Sequence, residues 1–392
     1  MKKILSFSVL NLLILTLATG CAVSFKKNKF EQPTKPEKDI SVMSFNVENL
    51  FDTEDDPDRD DETFLPLSKK QDPKVRAACE KNDSAYRRSE CLNNDWTQAG
   101  LEIKMSNISK VVFSADENGP DNLLLIEVEN NNVLTQLNKN YLAKAGYQTQ
   151  VLIEGPDKRG IDVAFLSRFP LVGTPVLHQI EWQPKNDKDK EWMFQSRNIL
   201  EVVVKAPNGD PITFLVAHFP SQSNPRYWRE QASQYLTKLI LSKGPNAMVV
   251  AAGDLNITHE EEEEAGFFIS TMSQAGAVSH LVGCKDCPGT HYYRRSWSFL
   301  DAQIYSKALL TDGAGSYVLE PETISVVRYN DVHLKRGKYP NRWDIDEKTG
   351  VSDHFPLYAR LKMRSEAKSP VLPPPPPIEE KKVPAKKSPK KK

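Results

Sequence analysis

The stretch VMSFNVENLFD, from Val42 to Asp52, begins like a buried β-strand and ends in polar residues. Its apolar residues suit a sheet, yet Asn46 and Glu48 stand two positions apart among them. Residues two apart on a strand share a face of the sheet. The sequence therefore predicts an amide and a carboxylate side by side where a core strand ends, and it raises the question of what they bind.

Further apolar segments also end in polar or ionisable residues. These are Glu127 after LLLI, His218 after FLVA, Asp254 and Asn256 after MVVAAG, Asp301 after WSFL, and Asp353 with His354 in GVSDHFPLY. Each alone has a structural explanation, because Asn and Asp favour turns and a single His usually packs in a core. At so many strand ends, however, such groups are costly unless they are paired or bind a metal. Together they predict a hydrolytic centre whose oxygen ligands suit Mg²⁺, Mn²⁺ or Ca²⁺ rather than zinc.

Predicted helices separate these strands. GLEIKMSNISKVVFSA, residues 100–115, has helical spacing of its apolar positions, and further helices are expected near 131–145 and 226–243. The alternation of strands and helices predicts an α/β layered domain with a buried sheet. Residues 53–100 are rich in charge and in loop-forming residues, which indicates a long insertion.

The charge of the 392-residue chain is unevenly distributed. The formal net charge is zero, but residues 363–392 carry nine Lys and Arg against three Asp and Glu, so the rest of the chain is acidic. An acidic body argues weakly against broad non-specific binding of nucleic acid. Residues 364–392 are rich in proline and lysine, which predicts a disordered tail that attracts polyanions or only improves solubility.

The N-terminus has the pattern of an export signal. Two lysines precede an apolar run, and Ala-Thr-Gly precedes Cys21. The pattern resembles a bacterial lipoprotein signal, which implies a signal peptide over 1–20, lipidation of Cys21 and a polar tether over 21–38. An ordinary cleaved signal is the alternative. Because Ala22 rather than Asp follows the cysteine, the resemblance favours a lipid-anchored protein of the bacterial envelope, at the outer membrane.

Four further cysteines lie in the predicted exported part. Export implies an oxidising compartment, where disulfides form. The simplest of the three possible pairings joins Cys79 to Cys91 and Cys284 to Cys287. A redox motif and a zinc site are weaker interpretations of these residues.

At this point the sequence resembles the endonuclease/exonuclease/phosphatase superfamily, which has the deoxyribonuclease I fold. Seven segments occur in the order typical of that family: SFNVENLFD, LLLIEVEN, RGIDVAFLSRFPL, VAHFPSQ, AAGDLN, SFLDAQIYS and GVSDHFPLY. Short motifs such as GDLN are weak alone, but the ordered set is specific. The resemblance implies one domain over 39–363, a four-layer α/β sandwich of two facing mixed β-sheets flanked by helices, which we expect to be a monomer.

The resemblance also implies roles for individual residues. It makes Asn46, Glu48, Glu127 and Asp353 the metal-side residues, and it makes His218, Asp254, Asn256, Asp301, His354 and Asp162 the catalytic group. In this scheme Asp301 hydrogen-bonds His354, and Asp162 orients His218, unless Asp162 only caps a strand end. Arg197 and Asn256 would contact the substrate phosphate, although a surface ion pair also explains Arg197.

Two other stretches have ambiguous patterns. The five glutamates Glu260–Glu264 indicate the solvated first turns of a helix, with a second metal site as a minor alternative. HYYRRSW, residues 291–297, mixes basic and aromatic residues as nucleic-acid surfaces do, but packing of Trp297 under the last strands explains it equally well.

These inferences converge on a divalent-metal-dependent phosphodiester hydrolase, a nuclease acting on extracellular nucleic acid. A sphingomyelinase-like enzyme or a phosphatase of small phosphoesters would use the same centre. A surface binding module without catalysis is the alternative from another class. The complete catalytic group in this sequence argues against that last interpretation.

Overall fold

The structure is a computed structural model that describes residues 35–328 and 330–364. The predicted signal peptide, Cys21, the tether up to residue 34 and the tail from residue 365 lie outside the described residues. No helix within the described ranges is both long and apolar enough to cross a membrane.

The strands follow the predicted apolar segments closely. In chain order they are β1 (Ile40–Leu50), β2 (Asn122–Val128), β3 (Thr149–Leu152), β4 (Asp162–Ser167), β5 (Val176–His178), β6 (Ile199–Lys205), β7 (Pro211–His218), β8 (Val249–Asp254), β9 (Gly276–Val278), β10 (His291–Tyr293), β11 (Ser296–Ser298), β12 (Asp301–Ser306), β13 (Tyr317–Val326), β14 (Leu334–Lys335), β15 (Tyr339–Pro340) and β16 (Leu357–Met363). The order β13-β16-β1-β2-β4-β3 forms one six-stranded sheet, and β5-β6-β7-β8-β12-β9 forms the other. Both sheets are mixed: β1 pairs in parallel with β2, β7 pairs in parallel with β8, and other neighbours are antiparallel.

The helices include all three that the sequence predicted. They are α1 (Pro73–Glu80), α2 (Ala85–Asn93), α3 (Gln98–Ala115), α4 (Asn131–Gln136), α5 (Asp187–Met193), α6 (Arg226–Ser242), α7 (His259–Ala265), α8 (Phe267–Ala275) and α9 (Ser279–Val282). Thr97 caps α3 by accepting a hydrogen bond from the N–H of Gly100 (3.1 Å). The helix predicted near 131–145 is divided, because a π-helical turn over Leu137–Tyr141 and a 3₁₀ turn over Ala143–Ala145 follow α4.

Alternation of side chains along the strands creates the layers. In β1, Val42 faces the second sheet in a core with Phe165 and Phe214, whose rings lie 5.0 Å apart. Its neighbour Met43 faces the opposite way, into a second core with residues of α3. Side chains of the second sheet alternate in the same way, and the outer face of that sheet packs on α6 and α8. Period-two alternation thus gives helix, sheet, sheet and helix layers, which confirms the predicted sandwich.

The predicted insertion, residues 53–100, packs onto the end of β1. Phe64 stacks on Phe51 with ring centroids 3.9 Å apart, and the Trp96 Nε1–H donates to the carbonyl oxygen of Phe51 (3.1 Å). A disulfide joins Cys79 in α1 to Cys91 in α2, and a second joins Cys284 to Cys287. Both predicted pairings are therefore present.

Candidate active site

Three strands of the second sheet bring ionisable residues into one row. His218 ends β7 beside Asp254, which ends β8, and Asp254 pairs in turn with Asp301 at the start of β12. By alternation these side chains lie on the face that the two sheets bury between them. The apolar core thus gives way to titratable groups at one end of the sandwich.

The first sheet closes this row from the other side. The Asn46 Nδ2–H donates to Glu127 Oε1 (3.2 Å) and to Asp254 Oδ2 (3.0 Å). Asn46 is 1% exposed, so its amide is a fixed bridge between the two sheets. This contact joins segments more than 200 residues apart and completes a single polar cluster.

A bulge at the end of β1 answers the question raised by Asn46 and Glu48. Glu48 and Asn49 have positive φ angles of 52° and 56°, and the pairing with β2 shifts register between Asn46 and Leu50. A bulge re-aims the following side chains. Asn46 therefore points to Glu127, whereas Glu48 accepts hydrogen bonds from the Arg342 guanidinium and from the N–H of Trp343. The two side chains thus have different hydrogen-bond partners, and the metal-side role of Glu48 stays a prediction.

His354 is held by a buried carboxylate. Its Nδ1–H donates to Asp301 Oδ2 (2.7 Å), which confirms the predicted hydrogen bond. Its Nε2 atom lies 3.7 Å from Asp254 Oδ2 and 3.8 Å from Asp353 Oδ1. Burial opposes protonation, but the negative charges of Asp301 and Asp254 outweigh it and raise the pKa of His354 well above its usual value. His354 is thus a cationic donor aimed into the cluster.

His218 has the opposite electrostatic character. Its Nε2 lies 3.8 Å from Glu127 Oε1 and 3.7 Å from Asp254 Oδ2. Burial and then the positive charge of Arg197 lower the pKa of His218 well below its usual value. The site therefore pairs a neutral imidazole with a protonated one, and Asp254 lies between their Nε2 atoms. Burial raises the pKa of Asp254 itself to about 7.

Asp162 does not orient His218 as the sequence predicted. Asp162 Oδ1 accepts the N–H of Gly155 (2.8 Å). Among the described residues, its buried Oδ2 has no hydrogen-bond partner, nor does the Nδ1 of His218. The structural alternative, a carboxylate that secures the loop between β3 and β4, explains the contact better. Burial raises the pKa of Asp162 to about 7.

Arg197 and Asn256 meet at the residue that follows His218. The Arg197 Nη1–H donates to the carbonyl oxygen of Phe219 (3.2 Å), and the Asn256 Nδ2–H donates to the same oxygen (3.1 Å). Arg197 Nε lies 3.2 Å from Asp157 Oδ2. The arginine is half-buried beside the cluster, so the ion pair of the alternative interpretation is present, and its contact with a substrate phosphate stays a prediction.

Two functional candidates escaped the sequence analysis. Arg342 contacts Glu48 and also lies 3.4 Å from Asp353 Oδ2, and His291 Nε2 lies 3.9 Å from the same oxygen. Burial opposes the effect, but the positive charges of His354 and Arg342 lower the pKa of Asp353. Neither residue belongs to an apolar strand that ends in polar groups, so only the tertiary structure reveals them.

The donor set at the centre of the cluster fits a hard divalent cation. Ligand atoms of Glu127, His218 and Asp254 lie within 4.8 Å of one another, with the Asn46 amide beside them. The ion-pair partners of Glu127 and Asp254 in the described part of the chain are histidines. The carboxylate oxygens suit Mg²⁺, Mn²⁺ or Ca²⁺. The Asn46 oxygen accepts the Glu48 N–H (3.0 Å), so Asn46 would join them as an oxygen ligand only after its amide turns over. Of the four predicted metal-side residues, Asn46 and Glu127 come together here, whereas Glu48 and Asp353 gather around Arg342.

A cavity of about 470 Å³ adjoins the cluster at Asp353. Its lining combines aromatic and basic side chains: His291, Tyr292, Tyr293, Lys335, Arg336, Tyr339, Pro340, Arg342 and Asp353. The short hairpins β10–β11 and β14–β15 form its walls. Trp297 packs behind them against Phe355, with ring centroids 6.2 Å apart. The packing interpretation of Trp297 is therefore confirmed, whereas a nucleic-acid surface formed by the other residues of the HYYRRSW stretch stays a prediction.

Sequence and structure comparisons relate this fold to known proteins. No sequence among the curated proteins matches the chain. Solved structures with the same fold include humanized TDP2 from D. rerio (14% identity, TM-score 0.50, 83% of this chain and 100% of that chain) and D. rerio TDP2 with a single strand DNA product, with the same values. An endonuclease/exonuclease/phosphatase from Beutenbergia cavernae shares 16% identity at a TM-score of 0.50 over 83% of this chain and 72% of that chain. The sequence profile of the Endonuclease/Exonuclease/phosphatase family matches residues 41–84 and 75–363, so the chain belongs to this family.

Proposed function

We propose that the chain is a divalent-metal-dependent phosphodiester hydrolase, a nuclease that acts on extracellular nucleic acid. One observation carries the proposal: the Asp301-held imidazole of His354 faces Asp254, and Glu127, Asn46 and His218 surround the same point. A phosphodiester carries negative charge and has a poor alkoxide leaving group. Its hydrolysis needs donors and proton-transfer groups that converge on one phosphate, which is what this cluster supplies.

The roles of the side chains follow from their positions. A bound divalent cation would neutralise charge on the phosphate, with Glu127 and Asn46 as its holders. His354 donates from Nε2 to a phosphate oxygen, while Asp301 fixes the proton on Nδ1. Asp254 Oδ2 lies 3.7 Å from Nε2 of His218 and 3.7 Å from Nε2 of His354, where it can orient the attacking water. His218 closes the cluster from the side of β7 and serves as the second proton-transfer group.

The cavity beside Asp353 supports a nucleic-acid substrate. Aromatic faces can stack bases, and Lys335, Arg336 and Arg342 can attract the backbone. Tyr293 is 61% exposed and lies next to Arg294, whose guanidinium carbon is 5.2 Å from its ring centroid. The single strand DNA product in D. rerio TDP2 belongs to that protein, and it makes single-stranded DNA a suitable first probe for this one.

The decisive experiment compares substrates and metals. The purified chain would be incubated with single-stranded DNA, duplex DNA, RNA, sphingomyelin and a small chromogenic phosphodiester, each with Mg²⁺, Mn²⁺, Ca²⁺ or EDTA. We expect metal-dependent cleavage of nucleic acid that is lost in EDTA. Preference for sphingomyelin or a small phosphoester would establish one of the alternative substrates. Absence of turnover on every substrate, with binding retained, would establish a binding module instead.

A single variant tests the role of the cavity. Tyr293→Ala removes an exposed ring without disturbing the core, so it should raise the KM for oligonucleotides several-fold and leave turnover of the small phosphodiester unchanged. Loss of one stacked base corresponds to about 1–3 kcal/mol. Tyr293→Phe keeps the ring and serves as the control. Equal KM values for Tyr293→Ala and the original chain would remove the cavity from substrate recognition.

The cellular location is part of the same proposal. The charged start, apolar run and Ala-Thr-Gly-Cys sequence support lipidation of Cys21 and an envelope anchor. Mass spectrometry of the N-terminal peptide would detect the modification. An unmodified Cys21, or release of the protein into the medium, would contradict it.

A further inference from the structure

A second group of carboxylates lies outside the active site, where the loop after β1 meets the end of β2. Ligand atoms of Asp56, Asp61 and Glu129 all lie within 4.8 Å of one another. Asp61 is 1% exposed and Glu129 is 2% exposed. The active-site chemistry described above uses none of these three residues.

One oxygen of each buried carboxylate has a partner and the other does not. Asp61 Oδ2 accepts the N–H of Asp56 (3.0 Å), and Glu129 Oε2 accepts the N–H of Asp52 (2.7 Å). Asp61 Oδ1 and Glu129 Oε1 are buried and have no hydrogen-bond partner in the part of the chain that the structure describes. Because nearly all buried polar atoms in proteins are satisfied, these two oxygens are available to ligate a cation.

No basic side chain among residues 35–328 and 330–364 forms an ion pair with Asp56, Asp61 or Glu129. The nearest charged side chains to Glu129 include the carboxylates of Asp52, Asp61 and Asp56. The nearby basic residues are engaged elsewhere, since Arg59 pairs with Glu154 and Lys69 pairs with Glu54. A buried cluster of like charges is unfavourable unless a cation balances it.

Only some of the aspartates in the loop after β1 lie in the cluster. DTEDDPDRDD, residues 52–61, contains six aspartates, of which Asp55, Asp58 and Asp60 are exposed. Asn130 orients two of the others, because its Nδ2–H donates to Asp52 Oδ2 (3.2 Å) and to Asp56 Oδ2 (3.1 Å). Hydrogen bonds to buried groups therefore hold these carboxylates in place, unlike the exposed aspartates of the same loop.

We propose that Asp56, Asp61 and Glu129 bind a structural calcium ion. Calcium accepts about six to eight oxygen ligands in irregular geometry, whereas Mg²⁺ demands an octahedron and keeps most of its waters. A loop that supplies carboxylates from scattered positions fits the first ion better. The bound ion ties the loop after β1 to the end of β2, next to the bulge where the Asn49 N–H donates to Glu127 Oε2 (3.0 Å).

The test measures calcium binding and thermal unfolding of the full chain, with excess Mg²⁺ present to saturate the active site. Calcium should raise the Tm of the original chain relative to EGTA. Asp61→Asn and Glu129→Gln should lose this rise and weaken calcium binding at least about tenfold, since affinity follows the number of charged ligands. Asp60→Asn removes the same charge from an exposed position of the same loop, so it should keep the rise.

The Tm measured without calcium distinguishes a variant that has lost the calcium site from one whose fold is damaged. In EGTA, Asp61→Asn and Glu129→Gln should be at least as stable as the original chain, because a neutral amide relieves buried like charges. If Asp61→Asn does not fold, Glu129→Gln and calorimetric titration of the original chain decide the matter. The proposal is overturned if calcium neither binds nor raises the Tm, or if both variants keep the rise. It is also overturned if Glu127→Gln alone abolishes the rise, because calcium then binds at the active site.

Discussion

Two buried ionic clusters in this protein are built in opposite ways. In the first, Arg229 of α6 and Glu261 of α7 form a bidentate pair, with Nε–Oε2 at 2.8 Å and Nη2–Oε1 at 2.6 Å. The remaining donor, Nη1, reaches the carbonyl oxygens of Pro220, Ser221 and Asn224. Every charge is matched, so this cluster has no capacity left for a ligand.

The active-site cluster leaves part of its bonding capacity unused. His218 Nδ1 and Asp301 Oδ1 are buried and have no hydrogen-bond partner within the described ranges of the chain. Several N–O distances fall near 3.7 Å rather than at bonding distance. A saturated buried pair fixes the chain, whereas an unsaturated one is prepared for a substrate. We therefore predict that substitutions in the active-site cluster lower activity, whereas substitutions in the Arg229–Glu261 cluster lower stability.

The largest effect is expected at His354. In His354→Asn the amide nitrogen can retain the hydrogen bond to Asp301, but the Nε2 donor is lost. Turnover should fall about 10³-fold, the usual scale for a positioned proton-transfer group, which corresponds to about 4 kcal/mol. Steady-state kinetics and thermal unfolding would be measured together. Turnover within tenfold of the original, in a folded variant, would remove His354 from the mechanism.

Glu261 should show the reverse pattern. Glu261→Ala leaves the buried Arg229 without its anion and should lower the free energy of unfolding by about 3 kcal/mol, with turnover of the folded protein unchanged. The control is Glu263→Ala, whose side chain is 66% exposed and whose loss should cost less than about 1 kcal/mol. Chemical denaturation measures both values. Equal stability of the two variants would contradict the contrast drawn between the clusters.

Asp301 tests how the imidazole is held. Asp301→Asn should lower turnover roughly 10²-fold, because the amide cannot stabilise the protonated ring. The Asp301 carboxylate raises the pKa of His354, so removing the carboxylate lowers that pKa. As the pH rises, activity that needs protonated His354 should therefore decline at a lower pH in the variant than in the original chain. A pH–rate profile measures the shift. Asp312→Asn, at an exposed position, is the control. An unchanged alkaline limb would show that Asp301 has only a structural role.

The smallest effect is expected at Glu127. Glu127→Gln keeps the shape of the side chain and removes its charge, so the Mg²⁺ concentration for half-maximal activity should rise about tenfold. A metal titration of turnover measures it, with Glu117→Gln as the control because that side chain is 92% exposed. Identical titrations for the two variants would show that Glu127 does not hold the metal.

Local patterns explain why much of the fold was predictable. The strands β2 (Asn122–Val128) and β8 (Val249–Asp254) are nearly continuous apolar runs, and α3 carries its apolar residues at helical spacing. The polar residues that end these strands marked the site correctly because a buried sheet tolerates such groups only at its edges. The hydrogen bond between His354 and Asp301 followed from the family resemblance rather than from spacing.

The wrong predictions share a physical cause. Period-two alternation predicted that Glu48 lies on the same face as Asn46, but the bulge at Glu48 and Asn49 interrupts the alternation. The glutamate run was taken as solvated, yet Glu261 is buried beneath Arg229, 32 residues away. Asp162 satisfies the backbone of Gly155 instead of His218. In each case the surroundings of a side chain in the folded chain differ from those that residue spacing suggested.

The sequence alone determined the alternation of apolar strands and helices, the strand ends that carry the chemistry, and the cysteine pairs. These are local properties, set by the period of the apolar residues and by the cost of burying polar groups. Only the tertiary structure decided that Arg342 lies between Glu48 and Asp353, that His291 joins the site, and that Asp61 meets Glu129. Those contacts join segments far apart in the chain, and no spacing rule within one segment specifies them.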